Sequence, residues 1–112
     1  MKFNYIYGKQ AEQYDYLYIP KAFMKEEPFK TMTASAKIMY AVLMEKQQKS
    51  VEMGWIDEKD HVYILANETA IGAELNWDEA EVLRAVEELE RFGLVEIAEK
   101  FEDIKLYLKR FV

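Results

Sequence analysis

A change of apolar period across one glycine, Gly93, constrains the fold of this chain more than any other feature. On its N-terminal side, Val82, Val86 and Leu89 recur at the spacing of one helix face. On its C-terminal side, residues 94–98 and 104–108 alternate as two strands do. Glycine adopts the left-handed conformation that ends many helices. The sequence therefore predicts a helix that stops at Gly93 and leads directly into a β-hairpin.

Upstream patterns predict a longer helix and a first hairpin. Thr33 is a plausible N-cap, and apolar residues recur at helical spacing after it, so we expect the first helix over residues 34–49. Residues 55–56 and 61–65 have the composition of short strands, and the polar segment 57–60 between them favours a turn. These two segments predict a small hairpin.

Two asparagines indicate where the next helices begin. Asn67 can cap a short helix over residues 68–75. Asn76 can cap the third helix, and Glu79 three positions later completes a pair that resembles a capping box. The order helix, hairpin, short helix, longer helix, hairpin is that of a winged helix-turn-helix. We therefore predict an α+β winged-helix domain over residues 33–112 with two small antiparallel hairpins.

An extended N-terminal arm, residues 1–32, is expected to precede this domain. Tyr14, Tyr16 and Tyr18 alternate in it as on one face of a strand. The arm could be a strand that covers the core, or an exposed aromatic stripe used in homodimerisation, because tyrosine is enriched at interfaces.

Composition limits the class of protein. A chain of 112 residues with 51% hydrophobic residues suits one folded domain. It has no cysteine, no segment of signal-peptide character and no apolar run near the ~20 residues that span a bilayer. We therefore expect a cytoplasmic protein without a membrane partner.

Charge is distributed unevenly along the chain. Residues 74–103 hold three basic and eleven acidic residues, a net charge of 3 − 11 = −8, and the total of −6 leaves +2 for the rest. An acidic surface disfavours non-specific binding to nucleic acids and favours basic partners. The acidic stretch includes the third helix and the last hairpin.

Three segments carry a resemblance to a known family: residues 29–43 (FKTMTASAKIMYAVL), residues 54–58 (GWIDE) followed by VYI at 62–64, and residues 88–95 (ELERFGLV). They resemble the N-terminal domain of plasmid replication initiator protein A over roughly residues 14–112. The resemblance implies a winged-helix domain, often dimeric, that binds repeated sites at a plasmid origin within a longer initiator.

The chain departs from that family where a winged helix reads DNA. In the family the third helix and the wing, which is the final hairpin, carry lysines and arginines, whereas here both are rich in carboxylates. Trp77 is expected at the first position of the third helix, where it is either exposed as an anchor for a protein partner or folded back on the core. Arg84 either contacts DNA or pairs with Glu81, Glu87 or Glu88. The candidate partner-binding residues are Trp77, Asp78, Glu79, Glu81, Arg84 and Glu88 on the helix and Lys100, Glu102, Asp103 and Lys105 in the wing.

Catalytic and metal-binding patterns are weak. His61 is the sole histidine, and Asp57, Glu58 and Asp60 lack the spacing and the glycine of a calcium loop. We therefore expect no enzyme activity, no metal site and no cofactor.

Two functions remain open from the sequence. In the first, the acidic face binds a basic nucleic-acid-binding protein, as a DNA-mimic antagonist does. In the second, the domain binds double-stranded plasmid origin DNA as a dimer. The resemblance favours DNA, but the charge of the predicted reading face favours a protein. The sequence therefore predicts a mobile-element protein that binds a protein partner, with origin DNA as the alternative.

Overall fold

The computed structural model describes residues 1–8 and 15–110 and confirms the winged-helix prediction. Within these residues four helices and three strands follow one another: α1 (Ala22–Lys25), α2 (Ala34–Met53), β1 (Ile64–Ala66), α3 (Glu68–Leu75), α4 (Glu79–Arg91), β2 (Val95–Lys100) and β3 (Ile104–Leu108). A single 3₁₀ turn, Glu27–Phe29, joins α1 to the segment before α2. None of the helices in these ranges is long and apolar enough to cross a membrane.

Helix α2 begins as predicted and ends one turn later. The Thr33 hydroxyl accepts a hydrogen bond from the Ala36 N–H at 3.2 Å, which satisfies a free donor of the first turn. The helix continues past residue 49 to Met53, and the hydroxyl of the buried Ser50 is satisfied by donating to the Lys46 carbonyl. It stops at Gly54, which has a left-handed φ of 74°.

The junction between α3 and α4 differs from the prediction by two residues. Asn76 does not cap α4; it ends α3 in the left-handed conformation, with φ of 58°. Asp78 is the N-cap of α4, and its carboxylate accepts from the Glu81 N–H at 2.7 Å. Trp77 therefore lies before the cap, not in the first turn of α4. It is half-buried and packs against the core.

The end of α4 confirms the expected role of Gly93. Its φ is 82°, and its N–H donates to the Glu90 carbonyl while Leu94 N–H donates to the Leu89 carbonyl. This is a Schellman motif, which satisfies two carbonyls at the end of the helix. It also turns the chain into β2.

The three strands form one antiparallel sheet in the order β1-β3-β2. Strands β2 and β3 form the wing hairpin, with a bulge between Ile97 and Glu99. The first predicted hairpin is reduced to a single bridge between Ile56 and Val62. Strand β1 pairs with β3 instead, placing Ile64 opposite Leu106.

One core joins the helices to the sheet. Phe23 from α1 contacts Phe29 and Tyr40 edge-on, each with ring centroids 5.0 Å apart. Met32 is also buried in this core, so residues on both sides of position 33 pack together. The division of the chain at residue 33 stays a prediction. Residues from α2, α4 and the sheet that are almost fully buried are Met39, Leu43, Val82, Val86, Leu89, Ile64 and Leu106.

The described part of the arm has no strand. Residues 15–19 have no regular secondary structure, and Tyr16 and Tyr18 are exposed, with ring centroids 6.2 Å apart. The predicted strand over the core is therefore absent from these residues. Tyr14, the third member of the predicted stripe, lies outside the described residues. A role for this stripe in dimerisation stays a prediction.

A candidate nucleic-acid interface on α4

Helix α4 is anchored by an apolar side in the core and by polar contacts on its flanks, and these flanking contacts take up carboxylates of the acidic stretch. Its apolar side, with Val82, Val86 and Leu89, is buried in the core. Three flanking contacts then fix which residues can face outward. The side chains that remain on the outward face, at helical spacing, are Ala80, Arg84, Glu87 and Arg91.

The flank toward α2 holds Glu81 and Glu88. One Glu88 oxygen accepts from the Thr33 N–H at 2.8 Å, and the other accepts from the Thr33 hydroxyl at 2.7 Å. Glu81 accepts from the Ser35 hydroxyl at 3.2 Å. These carboxylates lie beside the first turn of α2, where the helix dipole favours negative charge. They join α4 to the start of α2.

The other flanks hold Glu79 and Glu90. Glu79 accepts from the Thr69 hydroxyl of α3 at 2.6 Å, which joins the two helices of the helix-turn-helix. Glu90 accepts from the Ile97 N–H of β2 at 3.4 Å, a long and weak hydrogen bond. Neither carboxylate belongs to the outward face.

Most of the acidic stretch is therefore engaged inside the chain. Eight of its eleven carboxylates accept a hydrogen bond or form an ion pair with another described residue. Within the described ranges the other three, Glu96, Glu99 and Glu102, have no hydrogen-bond or ion-pair partner. The eight carboxylates and their partners are Glu74 with Lys46, Asp78 with Glu81 N–H, Glu79 with Thr69, Glu81 with Ser35, Glu87 with Lys100, Glu88 with Thr33, Glu90 with Ile97 N–H and Asp103 with Asn67.

The two arginines of the outward face have no such partner. Arg84 and Arg91 are exposed, and within residues 1–8 and 15–110 neither guanidinium forms a salt bridge or a hydrogen bond. The predicted pairing of Arg84 with Glu81, Glu87 or Glu88 is wrong, because those carboxylates bind α2 or the wing. Both arginines line a shallow groove between α4 and the start of α2.

The sequence interpretation missed Arg91. It lies seven positions after Arg84, which places both on the same helix face about two turns apart. That spacing is the signal that identifies it. A guanidinium offers five N–H donors and suits phosphate oxygens or the guanine edge.

The predicted wing residues occupy different environments. Lys100 forms an ion pair with Glu87 at 3.0 Å and so ties the wing to α4. Asp103 accepts from the Asn67 side-chain amide at 2.9 Å, and Glu102 is exposed. The Lys105 ammonium lies 4.6 Å from the centroid of the Tyr63 ring, a cation–π contact on the outer face of the sheet. Lys100 and Lys105 therefore both have partners within the chain.

A second polar cluster lies at the other end of β3 from the wing tip. The Asp57 carboxylate accepts from the backbone N–H groups of His61 and Lys59 and from the Tyr107 hydroxyl, at 2.9, 2.8 and 2.8 Å. These hydrogen bonds hold the pKa of Asp57 below its usual value, and the bond from the His61 N–H has the largest effect. The hydrogen bond to Asp57 raises the pKa of Tyr107. The bonds fix the turn before β1. No group of three or more potential metal ligands converges anywhere in the described ranges.

The fold has close relatives among solved structures. A solved N-terminal domain of a DNA-binding protein is 24% identical, with a TM-score of 0.78 over 99% of this chain and 86% of that chain. A Rep–DNA complex structure is 24% identical, with a TM-score of 0.78 over 97% and 85%. The structure of an MDR initiator is 23% identical, with a TM-score of 0.77 over 96% and 86%. At these identities the likeness establishes the fold.

Sequence comparison gives the family. A search of curated proteins finds no significant match. The family model for the N-terminus of replication initiator protein A (RepA) matches residues 15–112, nearly the whole chain. This chain therefore belongs to the replication initiator protein A N-terminus family.

Proposed function

We propose that this domain binds double-stranded DNA of a plasmid origin, with α4 in the major groove and Arg84 and Arg91 as its principal contacts. The observation that carries the proposal is that both guanidinium groups are exposed on the outward face of α4 and have no partner within the described ranges. Arginines in such a position can neutralise phosphates or bind guanine. Family membership and the Rep–DNA complex of similar fold support the same function.

The overall charge of −6 is compatible with this proposal but lowers the expected affinity. The carboxylates of α4 other than Glu87 lie on its flanks, while the two arginines point outward. Each charge is felt over about 8 Å at physiological ionic strength, so the flanking carboxylates still weaken attraction to phosphate. We therefore expect weaker binding than that of a basic winged helix, with a shallower salt dependence because fewer phosphates are neutralised.

The partner that the sequence interpretation favoured, a basic nucleic-acid-binding protein, has less support than DNA. It requires an outward acidic face on α4, but Glu81 and Glu88 are bonded to α2 and Trp77 packs against the core. The matched family and the Rep–DNA complex of similar fold support DNA instead. DNA binding is therefore the function we propose.

Fluorescence anisotropy with a labelled duplex from a plasmid origin tests the proposal. At low ionic strength we expect binding by the intact chain and a loss of affinity of roughly 5- to 150-fold for Arg84→Ala or Arg91→Ala, the range for one good base or phosphate contact. Lys59→Ala is the matched control, because it removes the same charge from the turn at the far end of β3. No binding, or equal losses for all three variants, would refute the proposal.

Dimerisation through the arm is a separate proposal. Tyr16 and Tyr18 are 51% and 76% exposed, and aromatic side chains at such exposure are typical of interfaces. We expect sedimentation velocity to detect a dimer that the double substitution of both tyrosines by serine weakens. An unchanged sedimentation coefficient in the double variant would exclude this stripe from the interface.

A further inference from the structure

We propose that Glu87 gives this DNA interface a base preference, by accepting a hydrogen bond from the exocyclic amine of a cytosine beside the base pair that Arg84 contacts. The inference rests on the proposed function, because it assumes that the outward face of α4 enters the major groove. Its subject is the one carboxylate that the described structure places on that face.

The position of Glu87 suits a neighbouring base pair. It lies three residues after Arg84 and four before Arg91 on the outward face. At ~1.5 Å per residue these separations correspond to about 4.5 and 6 Å along the helix axis. Base pairs are stacked about 3.4 Å apart. A helix aligned with the groove therefore places Glu87 about one base pair from Arg84, and Arg91 about two base pairs beyond Glu87.

The chemistry of the groove selects cytosine. A carboxylate can only accept hydrogen bonds, and in the major groove guanine offers the acceptors N7 and O6 and thymine offers the acceptor O4. Cytosine presents only the N4 amine donor at its edge, whereas adenine places its amine beside the acceptor N7. Glu87 thus attracts one base and repels guanine, and specificity gains from both effects.

Lys100 of the wing orients the Glu87 carboxylate for this contact. The Lys100 ammonium bonds to Glu87 Oε2 at 3.0 Å, and both side chains are partly exposed, at 44% and 39%. Within the described ranges Glu87 Oε1 has no hydrogen-bond partner, so one oxygen of an oriented carboxylate is available. The ammonium also offsets the negative charge, which lowers the cost of bringing this carboxylate near the phosphates.

Selection from a randomised duplex library tests the inference. The wild-type chain is compared with Glu87→Gln, which keeps the side-chain volume, and with Glu99→Gln, which removes an equal charge from an exposed carboxylate without a partner in the described structure. We expect the wild-type chain and Glu99→Gln to select cytosine at one position. In Glu87→Gln that preference should fall by roughly 5- to 150-fold or shift to adenine, which glutamine can bind through two hydrogen bonds.

The outcomes separate the inference from the function on which it rests. If the wild-type chain enriches a sequence and Glu87→Gln enriches the same sequence with equal discrimination, Glu87 is only a repelling charge and the inference is wrong. If the wild-type chain enriches no sequence, sequence-specific origin recognition fails, and the inference fails with it. A gain of affinity by Glu87→Gln for all sequences alike, with the cytosine preference unchanged, also counts against it.

Discussion

Replacing Glu88 by alanine should destabilise the fold, because this carboxylate joins α4 to the start of α2. The substitution removes two hydrogen bonds to an ionised group, from the Thr33 N–H at 2.8 Å and the Thr33 hydroxyl at 2.7 Å. Such bonds contribute about 1.5–3 kcal/mol each when well shielded, and water can replace them at this partly exposed site. We expect the free energy of unfolding to fall by about 1–3 kcal/mol in total.

Urea denaturation followed by circular dichroism measures this loss. Glu99→Ala is the matched control, because Glu99 is exposed and has no partner in the described structure; a change within about 0.5 kcal/mol is expected. A loss of 1–3 kcal/mol in Glu88→Ala corresponds to a midpoint of thermal unfolding lower by roughly 4–12 °C.

A second substitution makes the test specific to the geometry. Thr33→Ala removes the hydroxyl, which also caps Ala36 N–H, but retains the backbone N–H that donates to Glu88. Glu88→Ala should therefore cost less in the Thr33→Ala background than in the wild-type chain, yet still cost a measurable amount. If Glu88→Ala matched the Glu99→Ala control, the assignment of this carboxylate to an internal role would be refuted.

Two further predictions concern other parts of the fold. Gly72→Ala should destabilise by about 1–3 kcal/mol in urea denaturation, because an added Cβ would lie 2.6 Å from the Trp77 carbonyl oxygen in the helix-turn-helix; unchanged stability would show that this turn yields easily. Tyr107→Phe should raise the pKa of Asp57, measured by carboxyl NMR, toward but not to its usual 3.8, because the bond from His61 N–H remains. A group whose pKa is lowered on folding adds stability above its unfolded pKa, and this stability is lost as the pH falls. The Tyr107→Phe variant should therefore lose less stability than the wild-type chain below about pH 3.8. An equal loss would refute the role of the hydroxyl.

Local patterns were sufficient to predict most of the fold. The apolar repeat of α4, the stop at Gly93 and the cap at Thr33 each depend on residues within a few positions of one another, and each is confirmed. The start of α4 was misassigned because Asn76 and Asp78 are both good caps; in the structure Asn76 ends α3, Asp78 caps α4, and Trp77 between them packs against the core. Sequence alone offers no measure of that packing.

The candidate site was harder to predict because its decisive contacts are distant in sequence. Thr33 is 55 residues from Glu88, and Ser35 is 46 residues from Glu81. Helical spacing alone offers Arg84, a neighbour in sequence, as one candidate partner for these carboxylates. Because Glu81 and Glu88 bind the start of α2, Arg84 is left exposed without a partner in the described structure. The outward face of α4 is therefore less acidic than the composition of residues 74–103 suggests.

The salt dependence of binding to origin DNA tests the central claim most directly. A plot of the logarithm of the dissociation constant against that of salt concentration should be linear, with a slope of about 0.9 for each phosphate neutralised. If both arginines contact phosphates, their combined substitution by alanine should reduce the slope by roughly 2; contacts to guanine edges would reduce affinity with little change in slope. Binding that is absent at low salt, or that keeps both its affinity and its slope in the Arg84→Ala/Arg91→Ala chain, would contradict the assignment of α4 as the DNA-binding helix.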